Sequence, residues 1–125
     1  MLCVLRVFGK RLDERQLSAL LGLAPCSVDD DDGNDGVTNI NFEIAESMDR
    51  ATLLESIKSF LRERGEKVRN ADVIAGVEEK ILDIAVGFPA EKAALFVQLD
   101  KELVERASKA GLSVELSVYK VSEGQ

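Results

Sequence analysis

Residues 99–120, LDKELVERASKAGLSVELSVYK, constrain the fold more than any other stretch of the chain. Asp100 can cap a helix, because its carboxylate accepts from free N–H groups and sits well at the positive helix end. Leu99 before the cap and Val104 within the helix have the spacing of a hydrophobic staple. Leu103, Val104, Ala107 and Ala110 fall on one helix face, and Gly111 supplies the left-handed residue at which helices end. Then Leu112, Val114, Leu116 and Val118 point one way while Ser113, Glu115, Ser117 and Tyr119 point the other. A helix of this kind packs on one side of a sheet whose other side is wetter.

The same helix-start signature occurs twice more. Leu12, Asp13, Gln16 and Leu17 open a helix that ends at Gly22, and Met48, Asp49 and Leu53 open a second that is expected to stop at Gly65. Ahead of the first helix, residues 1–8 read as a strand with Cys3, Leu5 and Val7 toward the core and Val4, Arg6 and Phe8 on the opposite face. Residues 27–36, SVDDDDGNDG, read as a loop, since four successive aspartates do not pack and the glycines with Asn34 favour turns. Residues 37–45 alternate, with Thr38, Ile40, Phe42 and Ile44 inward and Asn39, Asn41 and Glu43 outward. Within 66–78, Val68, Val73 and Ile74 suggest one more helical turn. Residues 80–88 form a strand with Leu82, Ile84, Val86 and Phe88 on one face, broken by Pro89. Residues 90–99 either begin one long helix or contain a hairpin strand over 93–99. The helix-start signature at Asp100 favours the hairpin.

On that reading the elements from Val37 onward run β-α-β-β-α-β, the ferredoxin-like arrangement, with an extra strand and helix before them. The expected architecture is α+β: a single-domain, two-layer sandwich with helices on one sheet face.

Composition narrows the function. With 125 residues the chain fits one domain. No apolar run approaches the ~20 residues of a membrane span. The N-terminus lacks the basic region and cleavage site of a signal peptide, so a cytoplasmic location is expected. The net charge is −7, and setting aside Asp29, Asp30, Asp31, Asp32 and Asp35 leaves −2. That balance opposes nucleic acid and anionic membrane as partners. The mixed run 62–69 reads as solvated helix surface. There is no histidine, which removes imidazole acid–base chemistry and histidine-based triads, and no GxSxG, P-loop or GxGxxG motif is present. Cys3 and Cys26 are 23 positions apart without CxxC spacing, and both are expected to be reduced. The acidic loop is the one metal candidate. Its EF-hand register fails: with Gly36 at the sixth position, Gly33 and Phe42 fall where carboxylates are required. We expect no metal and no cofactor.

The outward sheet face is the candidate site. It collects Val4, Arg6, Phe8, Asn39, Asn41, Glu43, Asp83, Glu115, Ser117 and Tyr119. A guanidinium among carboxylates, amides and a phenol suits a polar ligand, whereas an Arg6 pairing with Asp83 or Glu115 across strands would be structural. Val4 and Phe8 beside these polar groups suit a protein interface.

The motif Cys3-Val4-Leu5-Arg6-Val7-Phe8-Gly9, the leucine-rich helix through Pro25, Leu82-Asp83, and the closing Gly111-Leu112-Ser113-Val114-Glu115-Leu116-Ser117-Val118-Tyr119 together resemble a family of small bacterial proteins of unknown function. Its N-terminal strand reads CxLRxxG and its C-terminal strand GLxxELSxY. The resemblance transfers no catalytic residue, and the segment after Pro25 departs from it in being aspartate-rich. The expected function is a non-catalytic protein–protein interaction module, accessory or immunity-like, assembling as a homodimer or with another protein. The alternative is a binding domain for a small polar ligand on the open sheet face; the missing histidine and motifs argue against an enzyme.

Overall fold

A computed structural model describes residues 1–31 and 36–121 of the protein. The elements are β1 (Leu2–Lys10), α1 (Glu14–Leu21), β2 (Ser27–Asp31), β3 (Val37–Glu46), α2 (Arg50–Asn70) with a 3-10 turn at Ala71–Val73, β4 (Val77–Pro89), α3 (Lys101–Lys109) and β5 (Ser113–Val121). The strands form one mixed sheet in the order β2-β3-β1-β4-β5, antiparallel except for the parallel β4–β5 pair. The three helices lie against one face of it, which makes the fold α+β with two layers.

All three helix starts form as their caps dictate. Asp13, Asp49 and Asp100 each accept a bond from the third backbone N–H beyond, those of Gln16, Thr52 and Leu103. Gly22 closes α1 in the left-handed conformation. The staple at α2 does not form, since Met48 is 94% exposed. The core lies between the layers. Cys3, Leu5 and Val7 of β1, Ile40 and Phe42 of β3, and Leu82, Ile84 and Val86 of β4 meet Leu17, Leu53, Ile57, Val68 and Leu103 from the helices, all essentially fully buried.

Several sequence expectations need correction. Residues 93–99 are not a strand, and 90–110 are not one helix. Both edges of β4 are occupied, by β1 and by β5, so no hairpin partner can reach it, and Asp100 starts α3 only at Lys101. The connecting segment instead lays Leu95, Val97 and Leu99 against the core without regular structure. The six elements that alternate β-α-β-β-α-β are therefore the first six, and the additional helix and strand follow them.

Residues 27–31 are not loop but edge strand. The ladder to β3 is made by backbone, and a solvent-side edge accepts aspartates that a core strand would not. Asp32 and Asp35, on which the cation reading of this loop also rested, lie outside the described residues. Among the described residues no cluster of three or more acidic or thiol ligands comes together, and no helix is long and apolar enough to cross a membrane.

Finally, α2 runs through Gly65 to Asn70. A mid-helix glycine costs about 1 kcal/mol, which complete burial of Val68 one turn later outweighs.

The cations of residues 62–69 are more than solvated surface, because several close the helix layer. Arg64 Nη1 donates to the Leu21 and Gly22 carbonyls at the end of α1 (2.8 and 3.1 Å), and Arg69 Nη1 to Lys109 at the end of α3 (3.1 Å). Cations at helix C-termini satisfy orphan carbonyls and oppose the negative dipole end. Arg62 joins α2 to α3 through a bidentate contact with Glu102 (2.6 and 2.8 Å), and Arg106 adds a third bond at 2.8 Å.

These contacts, Arg62 first, hold the Glu102 carboxyl down at about 2, against an ordinary value near 4.5. A depressed native pKa contributes stability in full above the unfolded value and loses it as pH falls through the folded one. The melting temperature should therefore drop between pH 4.5 and 2, and Glu102→Gln should be less stable than the parent at neutral pH but flatter across that window. Parallel acid profiles showing the same slope for both chains would contradict this.

Candidate functional site

The register assembles the open face largely as the alternation predicts. Across β1, Val4 stands opposite Glu43 and Asp83, Arg6 opposite Asn41 and Ile81, and Phe8 opposite Asn39 and Glu79. Along β4 and β5, Asp83 pairs with Glu115, Ala85 with Ser117, and Gly87 with Tyr119. Among the described residues no helix covers this side. The bulge at Cys3/Val4 is absorbed by Ile44, so Glu43 keeps its place in the row.

At the centre, Arg6 and Asp83 form an ion pair at 2.8 Å, with the carboxylate side chain 10% and the guanidinium 41% exposed. This is the cross-strand pairing that the sequence offered as the structural role of Arg6. Ser117 Oγ stands 3.5 Å from the other oxygen of Asp83, at the outer limit of a hydrogen bond. Glu115 is exposed and lies one strand beyond this pair.

Toward β2 the polar row continues. Asn41 Nδ2 donates to Ser27 Oγ at 2.9 Å, a residue absent from the sequence-derived face because 27–31 reads as loop. Treating the aspartate run as a possible edge strand would have found it. Three atoms of this row, Arg6 Nε, Asn39 Oδ1 and Asn41 Oδ1, are shielded from solvent and have no hydrogen-bond partner within the described chain. Asn41 as a whole is 7% exposed. Unpaired buried polar atoms are costly, of order 1–3 kcal/mol each. Val4 and Phe8 are half-buried among these side chains rather than fully exposed.

No family model, curated protein or solved structure matches the chain.

The thiols sit differently. Cys3 is buried in the core between the sheet and the helices, and burial, with the Asp83 charge adding to it, pushes its pKa far above the ordinary range. Cys26 is exposed just before β2, where its N–H donates to the Asn41 carbonyl at 2.8 Å and its thiol to the same oxygen at 3.3 Å. A native thiol titration should therefore label Cys26 alone and rapidly, with Cys3 reacting only in denaturant. Two fast equivalents from the folded protein would show that β1 opens.

At the upper rim of the sheet, a cleft of about 320 Å³ is lined by Met1, Met48, Gly87, Phe88, Pro89, Tyr119 and Val121. The Tyr119 ring lies across Gly87 so closely that a Cβ there would stand 2.8 Å from Cε2. This cleft shares Tyr119 with the sequence-derived set but contains neither Arg6 nor the asparagines. Its lining is predominantly apolar, with the Tyr119 phenol as its polar side chain.

Proposed function

We propose that the protein is a non-catalytic interaction module whose uncovered sheet face holds a protein partner, as an accessory or immunity-like factor of the kind suggested by the family resemblance. The observation that carries this reading is the central row of that face. Half-buried Val4 and Phe8 flank polar atoms of Arg6, Asn39 and Asn41 that have no partner among the described residues. A surface laid over the row could cover the apolar side chains and supply the missing donors and acceptors together. A small polar ligand is less well served, because the sheet face is broad while the cleft at its rim is predominantly apolar and lies away from Arg6 and the asparagines. For the fold family we propose the ferredoxin-like arrangement for β1 to β4, extended by α3 and β5.

The test is affinity purification of the tagged protein from its native cell, in parallel with Phe8→Glu and Arg6→Ser. A partner retained by the parent, lost with both variants, and rebinding only the parent when purified supports the reading. Partners retained equally by all three chains, with each variant folded, would overturn it. A thermal shift produced by a small polar metabolite and abolished by Arg6→Ser would favour the ligand alternative.

A further inference from the structure

The two edges of the sheet are built in opposite ways. β2 carries Asp29, Asp30 and Asp31 in succession, and a run of like charge on an edge repels a second strand. β5 is a nine-residue edge that, among the described residues, is hydrogen-bonded to β4 on one side only. Its helix-side row, Val114, Leu116 and Val118, stands in register with buried Leu82, Ile84 and Val86, yet is 36%, 38% and 47% exposed. The cause is geometric. α3 has nine residues and spans about 14 Å, whereas β5 with the same number extends roughly 30 Å. α3 also turns Glu102 toward α2, through Arg62, which leaves Val104 on the opposite flank, 49% exposed. The result is one apolar band beside a row of unpaired backbone groups.

The sequence of β5 is self-complementary. In an antiparallel pairing centred on Leu116, Leu116 meets its own copy and Val114 meets Val118, so the apolar band is continuous across the axis. On the other face Glu115 meets Ser117 and Ser113 meets Tyr119, and no like charges stand opposite each other. Lys120 follows Val118 on the same row and stands opposite Leu112 at the end of the ladder, so each end of the band carries one cation. Such a contact is isologous and closes on itself, while the aspartates of β2 discourage continuation into a fibre.

We propose that two copies of the chain pair through β5 in this register, forming one ten-stranded sheet with both open faces on the same side. The contact is small. An edge roughly 30 Å long and about one sheet layer, ~10 Å, deep falls below the ~800 Å² per partner of a standard interface. The dimer is accordingly weak, forming in the micromolar range or above. It uses the β5 edge rather than the row of Val4, Arg6, Phe8, Asn39 and Asn41 on β1 and β3, so either proposal can fail without the other.

Sedimentation across concentration should show a monomer–dimer equilibrium. Leu116→Lys should raise its dissociation constant at least tenfold with an unchanged circular dichroism spectrum, and Phe8→Glu should leave it unchanged. Cross-linking tests the register independently, in a Cys26→Ser background where Cys3 is buried and silent. Leu116→Cys should form a disulfide-linked dimer under mild oxidation. Val114→Cys alone should not, its two copies being about 14 Å apart in this register, whereas an equimolar mixture of Val114→Cys with Val118→Cys should. A parent monomeric at millimolar concentration with no cross-link at 116 overturns the proposal. So does a dimer that survives Leu116→Lys and is broken by Phe8→Glu, and so does efficient self-cross-linking at 114.

Discussion

Replacing Lys80 by Met should destabilise the protein by about 3 kcal/mol, the loss expected when charged hydrogen bonds to buried carbonyls are removed. Lys80 lies in β4 on the core side, opposite Val7, and is 3% exposed. Its ammonium donates to the Val68 carbonyl near the end of α2 at 2.6 Å and to the Ala110 carbonyl at the end of α3 at 2.8 Å. It also pairs with Asp72 at 3.0 Å. All three ammonium protons are thus directed at acceptors, and one charge closes the ends of two helices. Met preserves the volume of the stem, so the change isolates the ammonium from the cavity that Ala would create. Asp72→Asn should cost much less, under about 1 kcal/mol, because its carboxylate side chain is 54% exposed. Urea titrations of both variants measure this directly. A loss below about 1 kcal/mol for Lys80→Met would mean that the two carbonyls find other donors once the ammonium is gone.

Lys80 also shows where sequence reading stops. Periodicity places residue 80 on the inward face of its strand, but it does not reveal that a lysine there is tolerated because two helix ends converge on it. That convergence depends on α2 and α3 terminating at the same end of the sheet. By contrast, the three capping aspartates were legible because a cap is local: a side chain, a backbone N–H three residues on, and nothing else. The face carrying Val4, Arg6, Asn41, Asp83 and Glu115 was legible for a similar reason, since alternation fixes which residues share a side whatever the strand order. Strand order itself was not legible. The segment around Leu95 and Val97 has strand composition, and only the parallel docking of β5 on β4 denies it a partner. Ser27–Asp31 has the opposite character, with loop composition but a backbone ladder to β3. In both cases a non-local pairing overrode local propensity. The atoms of Arg6, Asn39 and Asn41 that lack a partner among the described residues are likewise a property of side-chain geometry that no pattern of residue types encodes.

The largest effect is expected at Gly9. At the end of β1 the chain crosses the lead-in to β4 so closely that a Cβ on Gly9 would stand 1.9 Å from the Gly76 carbonyl oxygen and 2.8 Å from Leu12 Cδ2. The crossing is fixed by a hydrogen bond from Lys10 N–H to that same oxygen at 3.1 Å, and by a register shift between Phe8 and Gly9 where β4 begins. Gly76 itself has φ +92, and a Cβ there would meet the Lys10 carbonyl oxygen at 2.1 Å. Neither obstacle is a flexible side chain that could swing aside. Gly9→Ala must separate two backbones, break the Lys10–Gly76 bond and displace Leu12 ahead of α1. The cost should exceed about 3 kcal/mol, in the upper tail for point substitutions. Gly65 provides the internal control. It lies within α2, where an added Cβ would meet no atom within 4 Å. Gly65→Ala should therefore stabilise the protein by roughly 0.5–1 kcal/mol through helix propensity alone. The same chemical change then has opposite signs at two positions, and thermal melts of the two variants against the parent decide it. A Gly9→Ala chain that melts near the parent would mean that β1 and the start of β4 do not cross at Gly76, and the registry of Lys80 with Val7, which depends on that crossing, would have to be redrawn with it.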